Sequence, residues 1–509
     1  MDGEGEASWQ AAGPVARDPA ARELHRVGVV DVGSNSVRLV VFDGAARSPA
    51  YFYNEKVMAG LGSGLDETGR LDPEGRARAR AAIERFAALA EGMEIGPLTA
   101  VATAAVRRAE DGPDFVAEIA RATGIRLEVI DGEEEARLSA QGVLLGWPQG
   151  EGLVCDIGGS SMELARIEDG RVWERASSDL GPLHLEGLKG GAKARRKEID
   201  ATLGTLKEKV GSHPQLFLVG GSWRAIARLD MHRRGYPLSV LHDYRMTPNA
   251  VIETLDDIAG KDLEVLRKEV GVSSARIRLV PLAGEVLRRL MDRFEVRHVT
   301  VSGYGIREGL LYERMPARVR KRDPLIEAAR HAEALSARLP GFGAKLHGFI
   351  APLFEGSPTD PRLHLAACLL HDVSWRAHPD YRAEIVFDNA TRGNLGGIDH
   401  PGRVYLGLAL MHRYRSAKPG NRFEPLLELL GAAEIREAEI LGRAMRFGAM
   451  FSVAAPDRLG RLDWDPRARR LELILPPRAA PLYGEVAAAR LASLAKAMDA
   501  EVTVRETDG

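Results

Sequence analysis

Asp31 and Asp156 each close an apolar run and each lead into a turn of small residues. Val27–Val30 runs into Asp31, then Gly33-Ser34-Asn35-Ser36, then the apolar run Val37–Phe42. Leu153 onward runs into Asp156, then Gly158-Gly159-Ser160-Ser161, then Met162–Ile167, interrupted by Glu163. Both read as strand, tight turn, strand. Glycine permits positive φ and keeps the backbone bare. Backbone N–H groups, hydroxyls and an amide in such turns cradle a phosphate. A single turn of this kind also reads as an ordinary hairpin, since Gly and Asn are common turn residues. Two in one chain form an internal repeat. Facing each other across a cleft, they would hold a chain of phosphates and a metal.

Other residues could act on such a ligand. Gly220-Gly221-Ser222 follows the apolar run of Leu216–Val219 and opens a helix, an anion-ready N-terminus. Glu133, Glu134 and Glu135 stand in the first turn of another helix. Acidic residues there complement the helix dipole, by about 0.3–1 kcal/mol each when exposed. Arg107 follows the strand reaching Ala105, a place where an arginine is ordinarily a solvated charge. The run Lys189–Lys197, KGGAKARRK, reads as a solvated basic face that could also guide a polyanion.

Taken together, the paired turns resemble the phosphate loops of the superfamily of acetate kinase, sugar kinases, actin and heat-shock chaperones. More narrowly, they resemble the exopolyphosphatase / guanosine pentaphosphate phosphatase family. The family's Gly-x-Glu-Glu-Ala-Arg stretch matches Gly132-Glu133-Glu134-Glu135-Ala136-Arg137. The resemblance implies that Glu135, with Glu134 as the alternative, activates the attacking water. It implies that Arg107, in a Thr-x-x-x-Arg pattern from Thr103, grips phosphate. It implies that Asp156, with Asp31 and Glu163, holds Mg²⁺, and that Ser34, Asn35, Ser36, Gly158, Gly159, Ser160, Ser161, Gly221 and Ser222 bind phosphates. The family loop Gly-Gly-Gly-Ser-Thr-Glu-Leu departs here at two places: Ser160 replaces a Gly and Met162 replaces the Thr. Ser302-Gly303-Tyr304-Gly305-Ile306-Arg307-Glu308-Gly309 matches a further family stretch, in which Arg307 and Glu308 read equally as an interdomain ion pair or as ligand contacts.

The elements that must position these residues alternate strand and helix, so the fold class is α/β. The expectation is a pair of actin-like (ribonuclease H-like) α/β domains, a mostly helical HD-like domain and a small α+β tail. The expected bounds are 1–26 as a disordered tail, 27–146, 147–315, 325–455 and 456–509. The 509 residues suit several domains. Net charge is −2, so no global field draws in nucleic acid, and any anion site must be local. No apolar run approaches the roughly 18 residues of a membrane span. Cys155 and Cys368 lie in apolar contexts and read as buried thiols in a reducing cytoplasm. His371-Asp372 resembles an HD-type metal step, with His347 and His400 as further candidates, but no later Asp completes it. A packed helical domain without a working metal is the expected reading there.

The function expected is hydrolysis of terminal phosphates from inorganic polyphosphate, in a cytoplasmic homodimer as the resemblance implies. The alternatives are hydrolysis of guanosine pentaphosphate to the tetraphosphate, a sugar-kinase-like phosphotransferase, and a non-catalytic polyphosphate sensor.

Overall fold

The computed structural model describes residues 26–44, 47–415 and 419–507. The expected N-terminal tail lies outside them, apart from Arg26. The described residues divide into two compact units, one ending at Lys321 and one beginning at Arg322.

The first unit contains two sheets of matching design. In the first, β1 (Gly28–Val32) pairs antiparallel with β2 (Val37–Phe42), and β2 pairs antiparallel with β3 (Tyr51–Val57). On its other side β1 runs parallel to β4 (Thr99–Ala102), which runs parallel to β5 (Leu127–Val129). The second sheet repeats the plan. There β6 (Gly152–Ile157), β7 (Met162–Glu168) and β8 (Arg171–Ser178) form the meander. Then β9 (Gln215–Val219) and β11 (His298–Val301) continue in parallel, and β10 (Tyr244–Met246) closes the edge antiparallel. The strand orders are β3-β2-β1-β4-β5 and β8-β7-β6-β9-β11-β10. The repeat expected from two turns is thus a duplication of whole sheets.

Parallel strands need crossovers, and helices supply them. Helix Pro73–Gly92 starts where Asp72 accepts a bond from the Gly75 amide and Pro73 presets φ. Its apolar stripe, Ala79, Ile83 and Phe86, packs on the Val30, Val32 and Leu39 face of the first sheet. The stretch Leu98–Ala105, expected as one strand, divides at Thr103, and Ala104–Arg108 is a helical turn. In the second half, Leu153, Cys155, Leu216 and Leu218 face Ile199, Leu203, Trp223, Val286 and Leu290 from the covering helices. Cys155 and Cys368 are both buried free thiols.

The halves meet through helices Gly132–Gly146 and Ile306–Arg314. A methyl group on Gly309 would overlap the Leu138 carbonyl oxygen, and one on Gly142 would overlap the Gly305 carbonyl oxygen. Glycine is required at both places because the two backbones touch.

The second unit is mostly helical. Its helices include Pro324–Ser336, Phe342–Ile350, Pro361–Leu370, Arg382–Arg392, His400–Tyr414 and Ala432–Phe451. A hairpin of β12 (Arg461–Asp465) and β13 (Arg470–Leu475) follows. Helix Glu485–Met498 then crosses to β14 (Glu501–Glu506), parallel to β13. Among the described residues, no helix is long and apolar enough to cross a membrane.

Candidate active site

The two turns face each other. The Ser34 and Ser160 hydroxyls lie 3.3 Å apart across a cavity of about 270 Å³. Each turn is closed the same way: the Gly33 amide donates to the Ser36 carbonyl, and the Gly158 amide donates to the Ser161 carbonyl, both at 3.0 Å. Neither glycine has a positive φ. Their role is a bare backbone beside the cavity rather than a left-handed turn. Ser160 likewise avoids positive φ, so serine sits there without strain. The glycine that does need its conformation is Gly220, at φ 112°, where a side chain would strike the Ile157 carbonyl.

Ser34, Asn35, Ser36, Gly158, Gly159, Ser160, Ser161, Gly221 and Ser222 all line this cavity, and so do Asp31, Asp156 and Glu135. Asp31 lies near the end of the central strand β1, and Asp156 near the end of its counterpart β6. The Ser139 hydroxyl donates to Asp156 Oδ2. Burial raises the pKa of both aspartates; Arg307, 3.7 Å from Asp31, opposes the rise.

Glu135 follows from helix geometry. Asp131 caps helix Gly132–Gly146 by accepting the Glu134 amide at 2.7 Å, which turns Glu135 inward. Glu135 is 6% exposed, and its Oε2 has no hydrogen-bond partner. Burial, then the charge of Asp156, pushes its carboxyl up to about 8, while Arg107 at 3.6 Å pulls it down. Glu134 points elsewhere. Arg137 grips both its oxygens and also bonds Glu313, so the Glu134 carboxyl is held below its ordinary range.

Two expected site residues stand off the cavity wall. Arg107 donates to the Ile130 carbonyl at 2.7 Å and flanks Glu135. Glu163 pairs in register with Asp156, but helix Gly132–Gly146 covers that face of β7. It is 1% exposed; Oε1 accepts from the Ser177 hydroxyl at 3.0 Å and Oε2 has no partner. Burial, then the charges of Glu135 and Asp156, drives its carboxyl well above the ordinary range. Glu163 thus lies behind the cavity wall, in register with Asp156, rather than on its surface.

Four cavity cations escaped the sequence reading: Arg38, Lys56, Arg224 and Arg276. With Arg307 they make five. Arg224 is held by the Ser302 and Gly303 carbonyls at 3.1 and 3.0 Å, and Arg38 by Asn54 at 2.7 Å. Lys56 and Arg276 form no ion pair among the described residues. Burial lowers the pKa of each, and neighbouring cations lower it further. Only alternation carried a signal for Arg38: it lies opposite Asp31 in the β1–β2 register. Arg276 sits on a short helix after Ser273, 55 residues beyond the Gly221 turn whose N-terminus it overlies, and no local pattern marks it.

Arg307 is the interdomain partner of Asp31. Glu308 instead accepts the Tyr51 hydroxyl at 2.7 Å and the Gly305 amide at 2.8 Å. The basic run does not reach the cavity. Its Arg195 and Arg196 lie against Glu285 at 3.9 and 3.4 Å. In the second unit, Asp372 is occupied by Arg338 through two guanidinium bonds of 2.8 and 2.6 Å, and His371 bonds the Cys368 carbonyl.

Residues 40–318 match the Ppx/GppA phosphatase family, and residues 325–504 match the family described as exopolyphosphatase, C-terminal. The chain belongs to the Ppx/GppA phosphatase family. Its activity class is therefore that of a phosphatase, a hydrolase of this family. Exopolyphosphatase 1 of Mycobacterium tuberculosis is 29% identical over 308 residues, covering 57% of this chain and 88% of that protein. A guanosine-5'-triphosphate,3'-diphosphate pyrophosphatase of Aeromonas hydrophila is 27% identical over 444 residues, covering 82% and 85%. The crystal structure of the Aquifex aeolicus Ppx/GppA family member is 25% identical, with a TM-score of 0.50, and covers 57% of this chain and 97% of that one.

Proposed function

We propose that the chain is an exopolyphosphatase, cleaving the terminal phosphoanhydride of inorganic polyphosphate to release orthophosphate. The observation that supports this is the composition of the cavity wall: among the described residues it has five cations and no aromatic ring. A linear polyanion needs distributed positive charge, whereas a nucleobase is ordinarily held by stacking.

In this reading, the serine hydroxyls and amides of the two turns hold the terminal phosphates. Arg38, Lys56, Arg224 and Arg276 take the charge of the phosphates behind them. Glu135 in its ionised form accepts a proton from a water attacking the terminal phosphorus. The new P–O bond forms as the bond to the chain oxygen breaks, and the shortened chain leaves as the anion. Water-activating catalysis of this kind is worth roughly 10²–10⁴-fold. Arg107 orients Glu135 rather than gripping substrate.

Phosphatases of this family in general depend on a divalent metal. The donors here suit one. Asp31 and Asp156 offer hard oxygen ligands. Burial raises the pKa of both, and the charge of Asp31 raises that of Asp156 further, a strain that a cation would relieve. Among the described residues no set of three His, Cys, Asp or Glu surrounds a metal position. The two aspartate donors suit Mg²⁺, which keeps waters and shares substrate phosphates rather than filling a protein cage. Bound there, the ion would neutralise charge on the phosphates.

A second reading, guanosine pentaphosphate hydrolysis, is favoured by one observation: the Aeromonas relative spans both regions of the chain. Orthophosphate release with Mg²⁺ from long-chain polyphosphate and from guanosine pentaphosphate, run in parallel, tests both. A kcat/KM at least tenfold higher on polyphosphate supports the first reading; the reverse order replaces it with the second.

A further inference from the structure

Helix Gly132–Gly146 carries a second polar side chain on the face that holds Glu135. Glu135 stands in its first turn, and Ser139 stands one turn further on. A serine inside a helix ordinarily points to solvent or turns back on a carbonyl of its own helix. Ser139 is 1% exposed, and its hydroxyl donates to Asp156 Oδ2, 17 residues along the chain.

The other oxygen of Asp156 has different surroundings. Oδ1 lies over Gly220, 3.0 Å from the place a Cβ there would take. Asp156 and Gly220 both line the cavity. Among the described residues Oδ1 accepts no hydrogen bond. One oxygen is therefore tied to the helix, and the other stands beside backbone that carries no side chain. Asp31, the counterpart in the first sheet, is faced instead by the Arg307 guanidinium at 3.7 Å. The terminal torsion of an aspartate is soft, so an unheld carboxylate turns freely. A hydrogen bond on one oxygen removes that freedom and settles which oxygen is left to ligate.

We propose that Ser139 is the positioning residue of Asp156, fixing the carboxylate so that Oδ1 is the oxygen offered to a divalent cation. The inference rests on the reading of Asp156 as a metal donor. Supporting hydrogen bonds of this kind are typically worth about 10–100-fold in metal affinity. Because Ser139 and Glu135 share one helix, a single rigid element sets both the carboxyl that activates water and the carboxyl that holds the cation.

The test is Mn²⁺ binding to the full chain without substrate, read from the electron paramagnetic resonance signal of the free ion. Mn²⁺ takes the same oxygen donors as Mg²⁺. The proteins are wild type, Ser139→Ala, Ser139→Thr, Asp156→Asn and Ser178→Ala, the last removing a hydroxyl of the same half that bonds only the Met162 carbonyl. Ser139→Ala should weaken Mn²⁺ binding by about 10–100-fold, Ser139→Thr should restore it, and Ser178→Ala should match wild type. The Mg²⁺ concentration giving half-maximal phosphate release should rise in parallel in Ser139→Ala. A merely structural serine would instead move the metal-free melting midpoint and leave Mn²⁺ affinity alone. If Ser139→Thr does not fold, Ser139→Ala against Ser178→Ala decides. Loss of Mn²⁺ in Asp156→Asn with wild-type affinity in Ser139→Ala overturns the proposal and leaves the metal reading standing. Wild-type affinity in Asp156→Asn removes the metal reading, and the proposal with it.

Discussion

Arg38 and Glu163 occupy the same position in the two halves of the first unit. Arg38 stands opposite Asp31 in the β1–β2 pair, and Glu163 stands opposite Asp156 in the β6–β7 pair. The backbone is duplicated and the charge is reversed. One hairpin therefore presents a cation to the cavity, while the other buries a carboxyl beside Glu135. The consequence is an electropositive side that suits phosphate and an acidic side that suits water activation.

This asymmetry predicts opposite responses to neutral substitutions. Arg38→Met should raise KM for polyphosphate about tenfold, the equivalent of about 1.4 kcal/mol of binding. Glu163→Gln should leave KM and thermal stability nearly unchanged, because burial raises its carboxyl pKa and the amide keeps the shape of the neutral acid. Steady-state kinetics and a melting curve check both. A loss of activity beyond about a hundredfold in Glu163→Gln would mean that its ionised form is needed.

Glu134 and Glu135, adjacent in sequence, should separate sharply. Glu135→Gln should lower kcat by roughly 10²–10⁴-fold with KM little changed. Glu134→Gln should keep kcat within about threefold and cost no more than about 1 kcal/mol, since it breaks a partly exposed ion pair with Arg137. Phosphate release by each variant, beside its unfolding midpoint, distinguishes them; equal activity losses would refute the assignment.

The crossing of helices Gly132–Gly146 and Ile306–Arg314 leaves no space for a methyl group. Gly309→Ala and Gly142→Ala should each destabilise the first unit by about 3 kcal/mol or more, at or beyond the upper end of the ordinary cost of overpacking. Gly92→Ala, at a glycine with open space, is the control and should be neutral or slightly stabilising. Denaturant midpoints read the difference.

Acid should unfold the second unit through His371. Burial first, then Arg413, depresses its imidazole to about 4, against an ordinary value near 6.5. The folded state therefore binds fewer protons than the unfolded state between those values. The stability from this group is complete above about pH 6.5 and is lost as pH falls toward 4, on the order of 3 kcal/mol. Urea unfolding at about pH 7 and about pH 5, on either side of the unfolded value, should show the decline, and His371→Gln should reduce it, leaving the part carried by His347, whose imidazole burial also depresses to about 4. A wild-type profile level over that range would contradict the burial argument.

The turns, the α/β class, the acidic helix start and the strands ending around Asp31 and Asp156 were legible because each is a local pattern. Apolar runs ending in Asp and small residues encode a strand and its turn within a short stretch of chain. The charge environment was not legible in that way. Arg38, Lys56, Arg224 and Arg276 come from four separate segments, and only the duplicated sheets bring them to one cavity. Glu163, which the family resemblance implied as a metal ligand, stands level with Asp156 and under helix Gly132–Gly146, a cover that no local pattern announces.

By itself, then, the sequence determined which residues make two small-residue turns and a helix carrying Glu135. Which charges surround them, which carboxyls burial raises and which cations crowd together are set by burial and by distances between remote segments. Only the tertiary structure decided those, because desolvation and Coulomb energy depend on position in space and not on spacing along the chain.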